Sequence, residues 1–346
     1  MSDKTVLTGK TKEELKTLME AIGEQSFRAD QIFKWINKKS IHDFMEMTNL
    51  SKDLRRKLQK RFDIKTLAIK DREISNIDNS KKYLFELADG HVIESVYMPH
   101  EDRTTLCISC MVGCNIGCPY CATGMMGLKR KLTAGEIVEQ LLWINNEEDN
   151  PVSNVVFMGM GEPFLNYNNS IKAAQIFNTN DGPEISTRRI VISTCGITPQ
   201  INKFSEEGHK FKLAISLNGT TNEQRNELIP INKKYPLEEL LKASQKYAED
   251  ARDRVTFEYI LIKNFNDSMQ DAKRLQEMLS PIPCKLNIIP YNENEHLDYQ
   301  SPSEEELEQF INELYDSPFP VMVRRSKGQD ISAACGQLYI NEEKNK

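Results

Sequence analysis

From about Thr104 onward, short apolar runs rich in β-branched residues alternate with longer stretches of helical periodicity. This alternation limits the fold more than any other feature. Strands joined by crossover helices run parallel, and the helices cover the sheet they connect. The predicted strands are Thr104–Ser109, Asn154–Met158, Arg189–Thr194, Lys212–Leu217, Val255–Ile262, Lys285–Pro290 and Val321–Arg324. Between them, Thr133–Asn145, Leu237–Glu249, Ser268–Leu279 and Glu304–Tyr315 carry apolar residues at helical spacing. So many β–α units predict an α/β fold built as a full or partial barrel.

Residues 1 to about 75 read as helical instead. Lys12–Ile22 and Ala29–Lys38 show helical spacing, and Ser51 caps a basic helix running to about Phe62. Its Arg55, Arg56, Lys57, Lys60 and Arg61 read as a solvated face or as a phosphate-contacting one. A hairpin follows, Tyr83–Leu87 and Val92–Met98 around a turn at Asp89-Gly90. With 346 residues the chain has ample length for a buried core, and no apolar stretch is long enough to span a bilayer. The net charge of -6 gives no global attraction to nucleic acid and leaves that role to local basic patches. Eight cysteines without a signal-peptide pattern point to a reducing cytoplasm, where thiols serve metals or catalysis.

In parallel β–α folds, ligand groups sit just past the C-terminal ends of strands. The first predicted strand runs into five cysteines within fifteen residues, Cys107, Cys110, Cys114, Cys118 and Cys121. The last three have C-x3-C-x2-C spacing. Three thiolates on one loop suit three irons of a [4Fe–4S] cube and leave the fourth iron open to a small molecule. Zinc needs a fourth ligand, which only Cys110 or Cys107 offers, because no His lies in the run. Gly159-Met160-Gly161-Glu162-Pro163 follows the second strand; its glycines let a ligand approach the backbone, and Glu162 suits an ammonium group or a solvated turn. It lacks the third glycine of a dinucleotide fingerprint.

Ser193, Ser216 and Asn292 lie at the ends of the third, fourth and sixth strands and offer groups for a ribose or a carboxylate. Taken singly, each reads equally as a cap or turn residue. Glu94 lies on the second hairpin strand with Tyr97 placed on its face, a solvated glutamate or a general base at a barrel mouth. Near the end, Cys335 stands among Ala333, Ala334 and Gly336, as a packed thiol or a nucleophile. Cys107 fits neither the cluster spacing nor an obvious structural role, and the two spare thiols suggest a transient disulfide. Cys195 and Cys284 read as core residues, and Cys110 has no assigned role.

These residues resemble the RlmN/Cfr family of RNA adenine methyltransferases, within the radical S-adenosylmethionine (SAM) superfamily. The likeness runs over Arg28–Trp35, Met47–Ser51, the cysteine loop, the Gly-Glu-Pro segment, Pro230–Tyr235 and Ala333–Leu338. It implies a partial (β/α)6 radical-SAM barrel over 104–346, a β-hairpin extension over 76–103 and a helical RNA-binding accessory domain over 1–75. It also implies a [4Fe–4S] cluster on Cys114, Cys118 and Cys121, with SAM held by Gly161, Glu162, Ser193, Ser216, Leu217, Asn218 and Asn292. One SAM would methylate Cys335. A second, cleaved by an electron from the cluster to a 5′-deoxyadenosyl radical, would activate that methyl group toward an adenine ring. Glu94 matches the base for the ring proton, and Cys107 the thiol that releases product by disulfide formation with Cys335. Basic residues Lys129, Arg130, Lys131, Lys233, Lys234, Arg324 and Arg325 would hold RNA phosphates. The implied substrates are 23S ribosomal RNA and transfer RNA, the reductant is of flavodoxin or ferredoxin type, and the protein is a cytoplasmic monomer.

Glu162–Asn166 and Lys233-Lys234 look like the C2-methylating RlmN type rather than the C8-methylating Cfr type. Asn218, Cys110 and Ser332 depart from the His, Ser and Asp usual in the family. The reading from another class is a zinc-stabilised RNA-binding protein without catalysis.

Overall fold

A computed structural model describes residues 4–293 and 297–339, so the last stretch of the expected barrel unit, 340–346, lies outside them. Among the described residues, ten strands form one sheet in unbroken sequential order. The first four are β1 (Ala68–Ile74), β2 (Lys81–Glu86), β3 (Val92–His100) and β4 (Arg103–Cys107), an antiparallel meander. From β4 the sheet continues in parallel through β5 (Asn154–Phe157), β6 (Ile190–Thr194) and β7 (Lys212–Ser216). It ends with β8 (Val255–Leu261), β9 (Cys284–Pro290) and β10 (Val321–Val323). At least one helix follows each parallel strand from β4 to β9. This is the partial barrel expected, and β10 is the last of the seven predicted strands.

Burial explains the strand sequences. Parallel strands covered on both faces need apolar residues at nearly every position. β8 is buried along its whole length, and Glu258 is its only charged residue. The helices begin where local chemistry satisfies their first amide groups: Thr133, Ser268 and Ser303 each accept a hydrogen bond from a first-turn amide. Two helices that the periodicity did not reveal, Tyr167–Asn178 and Thr198–Glu206, start without any side-chain cap.

The expected helical start is corrected at its end, because Ala68–Ile74 is a strand. Its Lys70, Asp71, Arg72 and Glu73 show no period-2 apolar face, and all of β1 but Ile69 is exposed. Pairing with β2 decides its state. The remainder of that region holds three helices, Lys12–Ala21, Arg28–Asn37 and Lys52–Arg61, closed by parallel pairing of Thr5–Val6 with Phe62–Asp63. This unit is tied to the barrel by the fully buried Glu139, which accepts the Thr66 and Leu67 amides at 2.7 and 2.6 Å.

Candidate active site

The cysteine loop leaves the end of β4 and is folded back on itself. Cys110 and Met111 both donate backbone N–H groups to the Met160 carbonyl, at 2.9 and 3.1 Å. Met111–Gly113 then pairs with Leu128–Lys131, which pinches the loop and holds it over the barrel mouth. Cys114, Cys118 and Cys121 consequently line one cavity, together with Gly161, Glu162, Ser193, Ser216 and Asn218 from the ends of β5, β6 and β7.

The donor set fits an iron–sulfur cluster. All eight cysteines are free thiols. Burial pushes the Cys114 thiol up to about 12 and Cys118 well above the ordinary thiol range, so each stays protonated until a cation supplies the compensating charge. Three thiols around one cavity give one ligand to each of three irons. Among the described residues, no three His, Cys, Asp or Glu side chains gather around a single-ion position.

Glu162 is buried, and burial raises its carboxyl above the ordinary range. Its oxygens accept the Phe164 amide at 2.9 Å and the Cys195 amide at 2.8 Å. Asn218 lies at the cavity with φ +51, its amide already engaged. It donates to the Tyr120 hydroxyl at 2.8 Å and accepts the Ile260 N–H at 2.9 Å. Two expected contacts lie elsewhere. Leu217 is fully buried, and its N–H donates to the Glu258 carbonyl. The Asn292 amide donates to the Ser326 hydroxyl and to the Cys335 carbonyl, at 3.0 and 3.1 Å, so it fixes the cysteine segment.

A second cavity lies beside the first. Cys107, Cys335, Arg103 and Lys327 line it, and Cys335, Arg324 and Met158 line both cavities. Burial pushes Cys107 up to about 12. The Cys335 segment is pinned to the cysteine loop by the Ala122 N–H on the Gly336 carbonyl, at 2.7 Å, and by the Thr123 hydroxyl on the Leu338 carbonyl, at 2.7 Å. Glu94, on β3, is buried; it accepts the Tyr339 amide at 3.0 Å and faces Lys82 at 3.4 Å. Burial outweighs both partners and pushes its carboxyl up to about 7.

Several expectations need correction. Strand alternation places Val96 and Met98 on the Glu94 face, and Tyr97 on the other, where its hydroxyl donates to the Asn150 carbonyl. Cys195 is buried in the core as expected, and it also lines the cavity of the three thiols. Three of the basic residues assigned to phosphates are paired with carboxylates: Arg130 with Asp89 and Glu136, Arg325 with Glu304, and Arg324 with Glu258. Glu258 was missed. It is buried at the first cavity, accepts Asn287 at 2.9 Å through Oε1, and has no hydrogen-bond partner at Oε2. A lone charge in an otherwise apolar strand was its only sequence signal.

Comparison with known proteins matches this architecture along the chain. Residues 5–64 match the family described as ribosomal RNA large subunit methyltransferase N-terminal domain, and residues 108–275 match the radical SAM superfamily. The dual-specificity RNA methyltransferase RlmN of Geotalea uraniireducens is 46% identical, over 95% of this chain and 94% of that protein. The Geobacter sulfurreducens protein of the same name is 46% identical, over 96% of this chain and 91% of its own. A crystal structure of a radical SAM methyltransferase from Sphaerobacter thermophilus superposes with a TM-score of 0.93 at 40% identity, covering 96% of this chain and 99% of that one.

Proposed function

The chain belongs to the RlmN family of radical SAM methyltransferases, and from that premise we propose that it methylates C2 of adenine in 23S ribosomal RNA and in transfer RNA. The enzyme depends on a [4Fe–4S] cluster and SAM. Held by Cys114, Cys118 and Cys121, the cluster supplies one-electron chemistry for cleaving SAM.

The chain's own residues do the remaining work. The Cys335 thiol takes the methyl group from one SAM, and a second SAM is consumed in activating that methyl group toward the ring. An adenine carbon is no nucleophile, so a methyl group presented on sulfur and activated in a closed site avoids the polar route. Glu94 takes the ring proton, and a carboxyl held at about 7 is half ionised near neutrality, which suits a base. The Cys107 sulfur then attacks the Cys335 sulfur, forming the disulfide as the bond from Cys335 to the transferred carbon breaks; its electron pair and a proton complete the methyl group on the freed product. Gly161, Glu162, Ser193, Ser216 and Asn218 orient SAM, with Asn292 acting through the Cys335 backbone. The observation that supports this reading most is that Cys335 lines both the thiol cavity and the cavity of Cys107.

The test is nucleoside mass analysis of RNA from a strain lacking its own adenine methyltransferase and expressing this chain. The proposal expects 2-methyladenosine in both RNA classes. Finding 8-methyladenosine moves the enzyme to the Cfr-type reaction, and unmodified adenosine with cluster-loaded protein removes the proposal.

A further inference from the structure

Arg225 is fully buried and has no carboxylate partner among the described residues. Burial pulls its guanidinium down only to about 10, so it remains charged at neutral pH. All of its hydrogen bonds go to neutral acceptors. Nε donates to Asn232 Oδ1 at 2.9 Å, Nη1 to the Ser216 carbonyl at 3.0 Å and to the Leu217 carbonyl, and Nη2 to the Cys195 carbonyl at 3.0 Å.

The slot is built for it: a Cβ on Gly196 would lie 3.3 Å from Nη2, and one on Gly219 3.0 Å from the Arg225 Cγ. Taking a guanidinium out of water without a counter-ion is strongly unfavourable unless an anion lies close by. Two of its acceptor residues, Cys195 and Ser216, form the wall of the thiol cavity, and Cys118 and Tyr120 lie within its electrostatic reach. Among the described residues, the charged groups that line this cavity are Glu162, Glu258 and Arg324. Glu162 is held by two backbone amides, and Arg324 faces Glu258 at 3.7 Å.

We infer that Arg225 is the fixed countercharge of the cluster site, offsetting the three thiolates and setting the potential at which the cluster accepts an electron. The inference rests on the cluster reading above. In the step concerned, one electron from a poised electrode or dithionite enters the oxidised cluster and no proton moves. A cation behind the wall favours the more negative, reduced state. Arg225 lies behind the residues that line the thiol cavity, and is a positioning charge rather than a catalytic residue.

The test uses Asn232→Asp and Arg225→Lys in anaerobically reconstituted, full-length protein. Asn232→Asp sets a carboxylate against Nε and offsets the charge with the slot still filled, giving up the two hydrogen bonds that Asn232 Nδ2 donates to the Asn222 and Asn226 side chains; Arg225→Lys keeps the charge. Iron and sulfide content establish cluster loading, and potentiometric titration followed by electron paramagnetic resonance gives the midpoint. In Asn232→Asp the ratio of reduced to oxidised cluster should fall on the order of tenfold at the wild-type midpoint, a shift of about 59 mV downward. Arg225→Lys should stay near wild type. A loaded Asn232→Asp protein with an unmoved midpoint overturns the inference, as does an equal shift in both variants. Wild-type protein that binds no four-iron cluster overturns the cluster reading with it.

Discussion

Replacing Gly161 by alanine tests how the Glu162 segment is held. Gly161 has φ +101, and an added Cβ would lie 2.5 Å from the Met111 Cβ, 2.7 Å from its Cγ and 3.0 Å from its backbone nitrogen. Met111 is fully buried, and its N–H donates to the Met160 carbonyl at 3.1 Å, so it can retreat only by breaking the bond that folds the cysteine loop back. Backbone strain costs roughly 1–3 kcal/mol, and forced overpacking another 1–3 kcal/mol or so, about 2–6 kcal/mol in all. For a chain of this length, about 1.4 °C of melting temperature is lost per kcal/mol. Calorimetry should therefore show a loss of roughly 3–8 °C. Gly117→Ala is the control: it too has positive φ, +74, but nothing lies within 4 Å of its added Cβ. It should lose only the conformational term, about 1–2 kcal/mol. SAM binding to cluster-loaded Gly161→Ala, measured by equilibrium dialysis, should weaken by about tenfold or more, because Glu162 shifts with its neighbour. Equal melting losses in the two variants would refute the argument that Met111 resists.

Three further outcomes are expected. Cys118→Ala should lose the broad iron–sulfur absorbance and most bound iron after anaerobic reconstitution, and full iron retention would remove Cys118 from the ligand set. Cys107→Ala should accumulate a covalent protein–RNA species, seen as RNase-sensitive retardation on denaturing gels; clean turnover by that variant would end its resolving role. Glu94 acts as a base only when ionised, and its carboxyl is held at about 7 rather than 4.5. The single-turnover rate should therefore rise with pH, about tenfold per unit below that value, and level above it. Glu94→Gln should cost roughly 100-fold or more and abolish this limb, and a variant profile matching wild type would sink the assignment.

The cluster loop was legible because its chemistry is local: three ligands within eight residues declare themselves by spacing, whatever the fold does around them. The Glu162 segment was legible for a similar reason, as glycines at a strand end. Asn292 shows where such reading stops. Its position past the sixth predicted strand marked it as a ligand group, yet whether its amide faces a cavity or the Cys335 carbonyl depends on where the C-terminal segment returns. Tyr97 erred by one residue of register, enough to change its face of the sheet. Glu258 and Arg225 carry no spacing signal in the sequence, and their burial follows only from the folded structure.

The sequence by itself determined the α/β class, the order of most strands and the three thiols, because periodicity and ligand spacing act over a few residues. Only the tertiary structure decided that β1 is a strand, that Arg130 and Arg325 are paired with carboxylates, and that Cys107 and Cys335 share one cavity. Those outcomes depend on contacts between segments far apart in the chain. Desolvation, which sets the charge of Glu94 and the cost of Arg225, exists only once the barrel has closed around them.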